Sequence, residues 1–175
     1  SRALVVDCVA HGLKAAALSD RALAFRGVVS VGHLLLRETL LIGPAVDEAA
    51  SLMDSADGPF VWMAPSALRL RHMTGAPLDL YQTGTWAWKL PLKDGRTLQT
   101  RVIDPVAACA SKTRKQAIAR LRATFDSQKL DVVIKRQKFG EFLTLVERGL
   151  QARERNRKRK VTAQQARKAG AVAAE

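Results

Sequence analysis

Hydrophobic and polar positions along the first half of the chain change period several times, and each period predicts an element. Apolar residues spaced by three and four over residues 3–17 predict an amphipathic helix. Residues 25–33 are rich in β-branched side chains and predict a buried strand. After a polar break at Arg37-Glu38, residues 39–43 ("TLLIG") predict a second strand, which we expect to pair with the first as a hairpin. The apolar face of the predicted helix consists of Val5, Cys8, Val9, Leu13 and Ala16.

The next helix is predicted to begin at Gly43-Pro44. Proline has no N–H to lose at the first helical position, and glycine can serve at the cap. Asp47 and Glu48 lie near the start, where the helix dipole favours each negative charge by about 0.3–1 kcal/mol. These acids would repel a phosphate, and no Gly-rich loop or lysine accompanies them, so a phosphate-binding turn is excluded. The apolar face is predicted to comprise Val46, Ala49, Ala50 and Met53, with the helix breaking at Asp57-Gly58.

The pattern after that helix predicts one more strand and a hairpin. Residues 60–63 form the strand, and Pro65-Ser66 opens a short turn or helix. Trp86 and Trp88 alternate with small or polar residues, and Asp94-Gly95 supplies the turn to a returning strand. The two tryptophans on one face serve either as a stacking platform or, as is commoner, as a cover for one side of the sheet.

Composition changes beyond Pro105. Residues 111–125 and 130–152 predict two helices. Residues 153–175 contain almost no large apolar side chain and predict either a frayed helix or a disordered tail. The sequence therefore divides into an α/β domain over residues 1–105, a helical extension over residues 106–152 and a basic tail over residues 153–175.

Positive charge is concentrated in the C-terminal part. Residues 1–110 carry 11 Lys and Arg against 10 Asp and Glu, whereas residues 111–175 carry 18 against 6. Most of the net charge of +13 therefore lies beyond the α/β domain. A basic segment of this kind is either a solvated helix end, which is the commoner case, or a surface that binds nucleic acid or another anion. The side chains available for binding are Arg153, Arg155, Arg157, Lys158, Arg159 and Lys160.

Several classes of protein are disfavoured by composition. Apolar runs are too short to cross a bilayer, and no secretory signal opens the chain. Cys8 and Cys109 match no metal spacing or disulfide framework, which favours a reducing compartment such as the cytoplasm. The histidines are scattered, and no serine has the context of a nucleophile, so no catalytic residue is predicted. The chain opens on Ser1 and not on Met, which suggests a fragment.

Three motifs together resemble the class III nucleotide cyclase domain, and more narrowly bacterial adenylate and guanylate cyclase-like proteins. They are "RGVVSVG" at residues 26–32, "IGPAVDEAAS" at residues 42–51 and "PLKDG" at residues 91–95. The resemblance covers about residues 1–104. It implies a ferredoxin-like α/β sandwich, here partial, in which two such domains pair around an active site. Residues 27–31 and 40–42 would share one sheet in that sandwich, and their placement in separate sheets would contradict the resemblance.

The same resemblance implies that catalysis is lost. The family's transition-state arginine falls on Ser51, its asparagine on Asp47 and its adenine-reading acid on Leu40. Both metal-binding aspartates would precede the first helix and are not in this chain, so Mg²⁺ is expected only if upstream residues restore its site. We therefore expect a pseudoenzyme that acts in signalling or regulation through a homodimer or a cyclase-like partner domain. Binding of nucleic acid by the basic tail is the alternative function.

Overall fold

The computed structural model describes residues 2–20, 22–73, 84–124 and 130–172. Within these ranges the chain is mixed α/β, which confirms the predicted class at that level. The helices are α1 (Arg2–Leu18), α2 (Pro44–Met53), α3 (Pro65–Met73), α4 (Ser111–Ala123) and α5 (Leu130–Val172). The strands are β1 (Gly27–Val29), β2 (Leu35–Arg37), β3 (Leu40–Ile42), β4 (Val61–Met63), β5 (Thr85–Pro91) and β6 (Thr97–Ile103).

The larger sheet is mixed, with strand order β1-β4-β6-β5. Strands β1 and β4 are parallel, with Val28 opposite Trp62, and β4 meets β6 antiparallel where Trp62 lies opposite Val102. The predicted hairpin is confirmed, since β5 pairs with β6 along its whole length and the turn lies at Asp94-Gly95. Gly95 has φ of 83° there, a conformation that glycine adopts without steric cost.

The predicted hairpin between residues 25–33 and 39–43 is wrong. Strand β1 pairs with β4, whereas β3 pairs with β2 in a separate two-stranded sheet. The polar pair at Arg37-Glu38 is not a break before a strand but the turn of this second hairpin, because Arg37 lies opposite Leu40 and Glu38 takes a positive φ of 53°. The cyclase-type sandwich requires residues 27–31 and 40–42 to share one sheet, so this placement counts against the resemblance.

Helix α2 begins where the sequence predicts, with Pro44 at its first position and Gly43 before it. Its inward face differs from the predicted one. Ala45 is the buried residue of the helix, whereas Met53 is 49 % exposed, because the packing of α2 against β1 and β3 selects a face rotated from the periodic stripe.

Helix α1 packs against α4 and also contacts β6. Its buried positions include Val6, Ala10 and Ala17, whereas Cys8, predicted on the apolar face, is exposed. Arg120 of α4 secures this contact, since its guanidinium donates to the carbonyl oxygens of Leu18 and Ser19, each at 2.9 Å.

The chain divides into two compact units, residues 1–140 and 141–175. The divisions expected at residues 105 and 152 stay predictions. Within the first unit, Phe139 of α5 meets Phe60 edge to face at a centroid distance of 5.8 Å, and Lys138 forms an ion pair with Asp57. In the second unit α5 continues to Val172, so residues 153–172, predicted to be a frayed helix or a disordered tail, are helical. Residues 173–175 of that prediction lie outside the described residues. None of the helices in the described part of the chain combines the length and apolar character that a bilayer crossing requires.

Candidate functional site

The three positions identified by the cyclase resemblance all lie at the surface. Leu40 begins β3, Asp47 lies in the first turn of α2, and Ser51 follows one turn later on the same helix. Ser51 donates its hydroxyl to the carbonyl oxygen of Glu48 at 2.9 Å, a local bond within the helix. Among the residues that the structure describes, no three His, Cys, Asp or Glu side chains lie close enough to hold a metal ion.

Glu48 was predicted, like Asp47, to interact with the dipole of α2, but the structure gives its carboxylate specific hydrogen-bond donors. Its carboxylate accepts hydrogen bonds from the backbone N–H of Ser66, at 3.2 Å, and from the Ser66 hydroxyl. The Ser66 hydroxyl oxygen in turn accepts the N–H of Val31 at 2.9 Å. This network joins α2, the segment after β1 and the first turn of α3, where unpaired N–H groups favour an anion. Ser66 is therefore committed to a structural network.

A cleft of about 420 Å³ lies between the segment preceding β1, the end of α2 and the start of α5. Arg26 spans it, donating to the carbonyl oxygen of Gly58 at 3.3 Å and to Asp54 Oδ1 at 3.2 Å. Met53 and Lys135 also line the cleft. Leu40, Asp47 and Ser51 do not, so the positions suggested by resemblance and the cleft are separate features.

The two tryptophans of β5 are half-buried, as a cover for the sheet requires. Trp86 donates its indole N–H to Asp104 Oδ2 at 2.9 Å. Asp104 is 1 % exposed and also accepts the N–H of Val106 at 2.9 Å. Because the polar end of Trp86 is held by a buried carboxylate, the geometry favours the structural role of this face over a stacking platform.

The hairpin of β2 and β3 exposes an unusual amount of aliphatic surface. We call residues 34–42 the apolar ribbon. Their exposed side chains are Leu34 (57 %), Leu35 (58 %), Leu36 (65 %), Leu40 (57 %), Leu41 (45 %) and Ile42 (47 %). Leu36 and Leu41 form a cross-strand pair, as do Leu35 and Ile42 on the opposite face. Both faces of the ribbon are therefore apolar and open. Monomeric proteins rarely expose a contiguous patch of this kind unless it binds something.

The basic side chains of α5 form a second open surface. All residues from 151 to 165 are exposed. Lys158 forms an ion pair with Glu154 at 3.5 Å. Within the described residues, Arg155, Arg157 and Arg159 make no ion pair or hydrogen bond through their side chains. We call residues 153–160 the basic segment.

The chain matches no protein-family model, no curated protein and no solved structure. Function is therefore inferred from the apolar ribbon and the basic segment. Sequence reasoning identified the basic segment directly, since a run of charge is visible in the sequence. It missed the ribbon, although the six aliphatic residues flanking "RET" with no alternation of polar residues are a visible signal that neither face is adapted to water.

Proposed function

We propose that this protein acts by association and not by catalysis, and that it forms a homodimer through the apolar ribbon. The observation that supports this is the exposure of six aliphatic side chains along the ribbon, five of them on the two faces of its two-stranded sheet. An isolated two-stranded hairpin is marginal in water, and further strands or a covering surface normally stabilise it.

The energy available at the ribbon is sufficient for a weak dimer. Full burial of one Leu or Ile contributes about 1.5–3 kcal/mol. Since each of the six side chains is roughly half exposed, covering those of both copies recovers roughly 9–18 kcal/mol in total. This exceeds the lower part of the range for the cost of association, about 4–15 kcal/mol. Main-chain hydrogen bonds along a free ribbon edge would add to it, so we expect a dissociation constant on the order of micromolar.

A second copy of the chain is the occupant that the ribbon fits. A two-fold interface requires a patch that is complementary to itself. The ribbon carries one positive and one negative side chain, Arg37 and Glu38, at its tip, so it is neutral while the whole chain carries +13. Two ribbons related by a two-fold axis can bring Arg37 of each copy to Glu38 of the other, and strand pairing between their edges would continue the sheet.

Nucleotide cyclase homology is the less supported part of this proposal. The motifs at residues 26–32, 42–51 and 91–95 support it. The separate sheets of β1 and β3 count against it. Within this proposal, Leu40, Asp47 and Ser51 perform no chemistry, and measured production of a cyclic nucleotide by the chain would contradict it. A cyclase-like domain is the first heterologous partner to examine if the chain does not pair with itself.

Sedimentation velocity from about 1 to 100 micromolar tests the dimer. The Leu36→Lys variant places a charge at the most exposed ribbon position, so we expect its dissociation constant to rise at least about tenfold, because the lysine would have to be buried without a partner. The fold should persist, since this side chain makes little contact within the monomer.

Leu23→Lys is the matched control. Leu23 is 51 % exposed and lies outside the ribbon, so this variant has the same change in charge and residue type. We expect its dimerisation to equal that of the unmodified chain. A strictly monomeric chain over the whole concentration range, or equal weakening by both variants, would refute pairing through the ribbon.

A further inference from the structure

The basic segment of α5 carries charge at nearly the linear density of duplex DNA. Its eight residues hold six Lys and Arg against one acid, Glu154. At a rise of 1.5 Å per residue the segment is about 12 Å long, which gives one cation per roughly 2 Å. Duplex DNA carries one phosphate per about 1.7 Å of its axis. The two linear charge densities are therefore closely matched.

The cations also surround the helix. With 100° between successive residues, Arg155 and Arg159 lie on the side opposite Arg157, and Lys158 and Lys160 occupy the directions between the two sides. Such a distribution suits a helix that has phosphates on two sides, as it does when it lies between the two backbones of a groove. A helix that lies on a flat surface would need its charges on one side only.

The segment lacks the apolar face that would favour a membrane surface. Helices that bind in the lipid interface bury Trp, Phe or Leu on one side. From residue 151 to residue 165 the aliphatic side chains are Ala152, Val161 and Ala163, and all three are exposed. Binding to anionic lipid would therefore lack its hydrophobic contribution.

Groove dimensions favour DNA over RNA. A helix with its side chains is about 10–12 Å across, and the major groove of B-form DNA is about 12 Å wide and admits it. The major groove of A-form RNA is deep and narrow, and it does not. We propose that the basic segment of α5 binds duplex DNA in the major groove, mainly through the phosphates and without strong sequence preference.

This function is independent of the dimer, because it depends on different residues. Fluorescence anisotropy of a labelled duplex of about 20 base pairs and mixed sequence, titrated with the full chain, measures it. With about five net cations engaged, we expect log K to fall with log salt at a slope near −4.5 between about 50 and 200 mM. Complete absence of binding at about 50 mM salt would overturn the proposal.

Two variants of equal net charge locate the contact. Replacing Arg155, Arg157, Arg159 and Lys160 by glutamine should reduce the slope to about −1 and weaken binding at about 50 mM salt by at least tenfold. Replacing the exposed Lys89, Lys93, Lys112 and Lys115 by glutamine should change neither, although both variants have a net charge of +9. Equal losses in the two variants would overturn the assignment. Unchanged helical circular dichroism in each variant confirms that the comparison concerns charge and not folding.

Competition experiments with duplex RNA and with anionic vesicles test whether the phosphates that the basic segment binds are those of duplex DNA. Duplex RNA of the same sequence should compete at least about tenfold less well than duplex DNA, because its major groove does not admit the helix. Vesicles of phosphatidylserine and phosphatidylcholine should compete weakly, since no apolar face inserts. RNA that competes as well as DNA would overturn groove binding, and vesicles that compete better than DNA would indicate a membrane surface in its place.

Discussion

Replacing Glu48 by alanine tests the network that joins α2 to α3. Glu48 and Asp47 are adjacent acids in the first half of α2, and the sequence gives them the same helix-dipole role. The structure distinguishes them, because the Glu48 carboxylate accepts two hydrogen bonds from Ser66. Because Glu48 is only half-buried, water replaces part of the hydrogen bonding that Ser66 loses on substitution.

The expected magnitude follows from these bonds. A hydrogen bond to a charged group contributes about 1.5–3 kcal/mol, and water compensation at a half-buried site lowers the total for two such bonds to roughly 2–3 kcal/mol. Loss of the Glu48 carboxylate also frees the Ser66 hydroxyl, which receives the N–H of Val31. In Asp47→Ala the loss is limited to the dipole contribution, about 0.3–1 kcal/mol. Glu48→Gln keeps an acceptor without charge and should cost about 1 kcal/mol.

Urea denaturation of the three variants measures these differences. The midpoints should shift in the order Glu48→Ala, Glu48→Gln, Asp47→Ala, with the m-value unchanged, because the area exposed on unfolding is the same in each. If Glu48→Ala and Asp47→Ala were destabilised equally, Glu48 would act only through the helix dipole, and the network would contribute nothing to stability.

Two further predictions concern single positions. Gly43→Ala should destabilise by about 2 kcal/mol or more, because Gly43 has φ of 136° and an added Cβ would lie 2.6 Å from the His33 carbonyl oxygen. Gly12→Ala, in open space on α1, should instead stabilise by about 0.5–1 kcal/mol. Thermal denaturation measures both changes, and shifts of the melting temperature in the same direction would refute this. Burial raises the pKa of the Cys109 thiol, so a disulfide reagent should react with the exposed Cys8 first and with Cys109 only on unfolding. Since the unfolded thiol ionises at lower pH than the folded one, this group stabilises the fold fully below its ordinary pKa of 9.0, and the stabilisation declines as pH rises through the raised value. Equal reactivity of the two thiols in the native chain would contradict this packing.

Several elements could be predicted from local chemistry alone. The start of α2 at Gly43-Pro44 and the turn at Asp94-Gly95 follow from backbone preferences of glycine and proline that depend on no distant residue. The alternation of Trp86 and Trp88 predicted a sheet face, and the periods over residues 111–125 and 130–152 predicted helices, which the structure has as α4 and as the first part of α5. The basic segment was visible as composition.

Strand pairing could not be predicted in the same way. Two β-rich segments close in sequence predicted a hairpin, but β1 pairs with β4, and Gly27 lies opposite Val61, which is 34 positions further along the chain. Local sequence shows that a segment is extended and not which partner its N–H and C=O groups will meet. The inward face of α1 and α2 is decided in the same manner, because neighbouring elements select one side of a helix that is apolar over a wide arc.

The sequence by itself determined approximately where most helices and strands lie, and that the positive charge lies in the last helix, because both depend on residues adjacent in the chain. Only the tertiary structure decided that Glu48 and not Asp47 holds α3, and that residues 34–42 stand apart from the main sheet with both faces open. Each of these depends on which distant groups remain to satisfy a hydrogen bond or cover an apolar surface, and that is fixed only when the whole chain has packed.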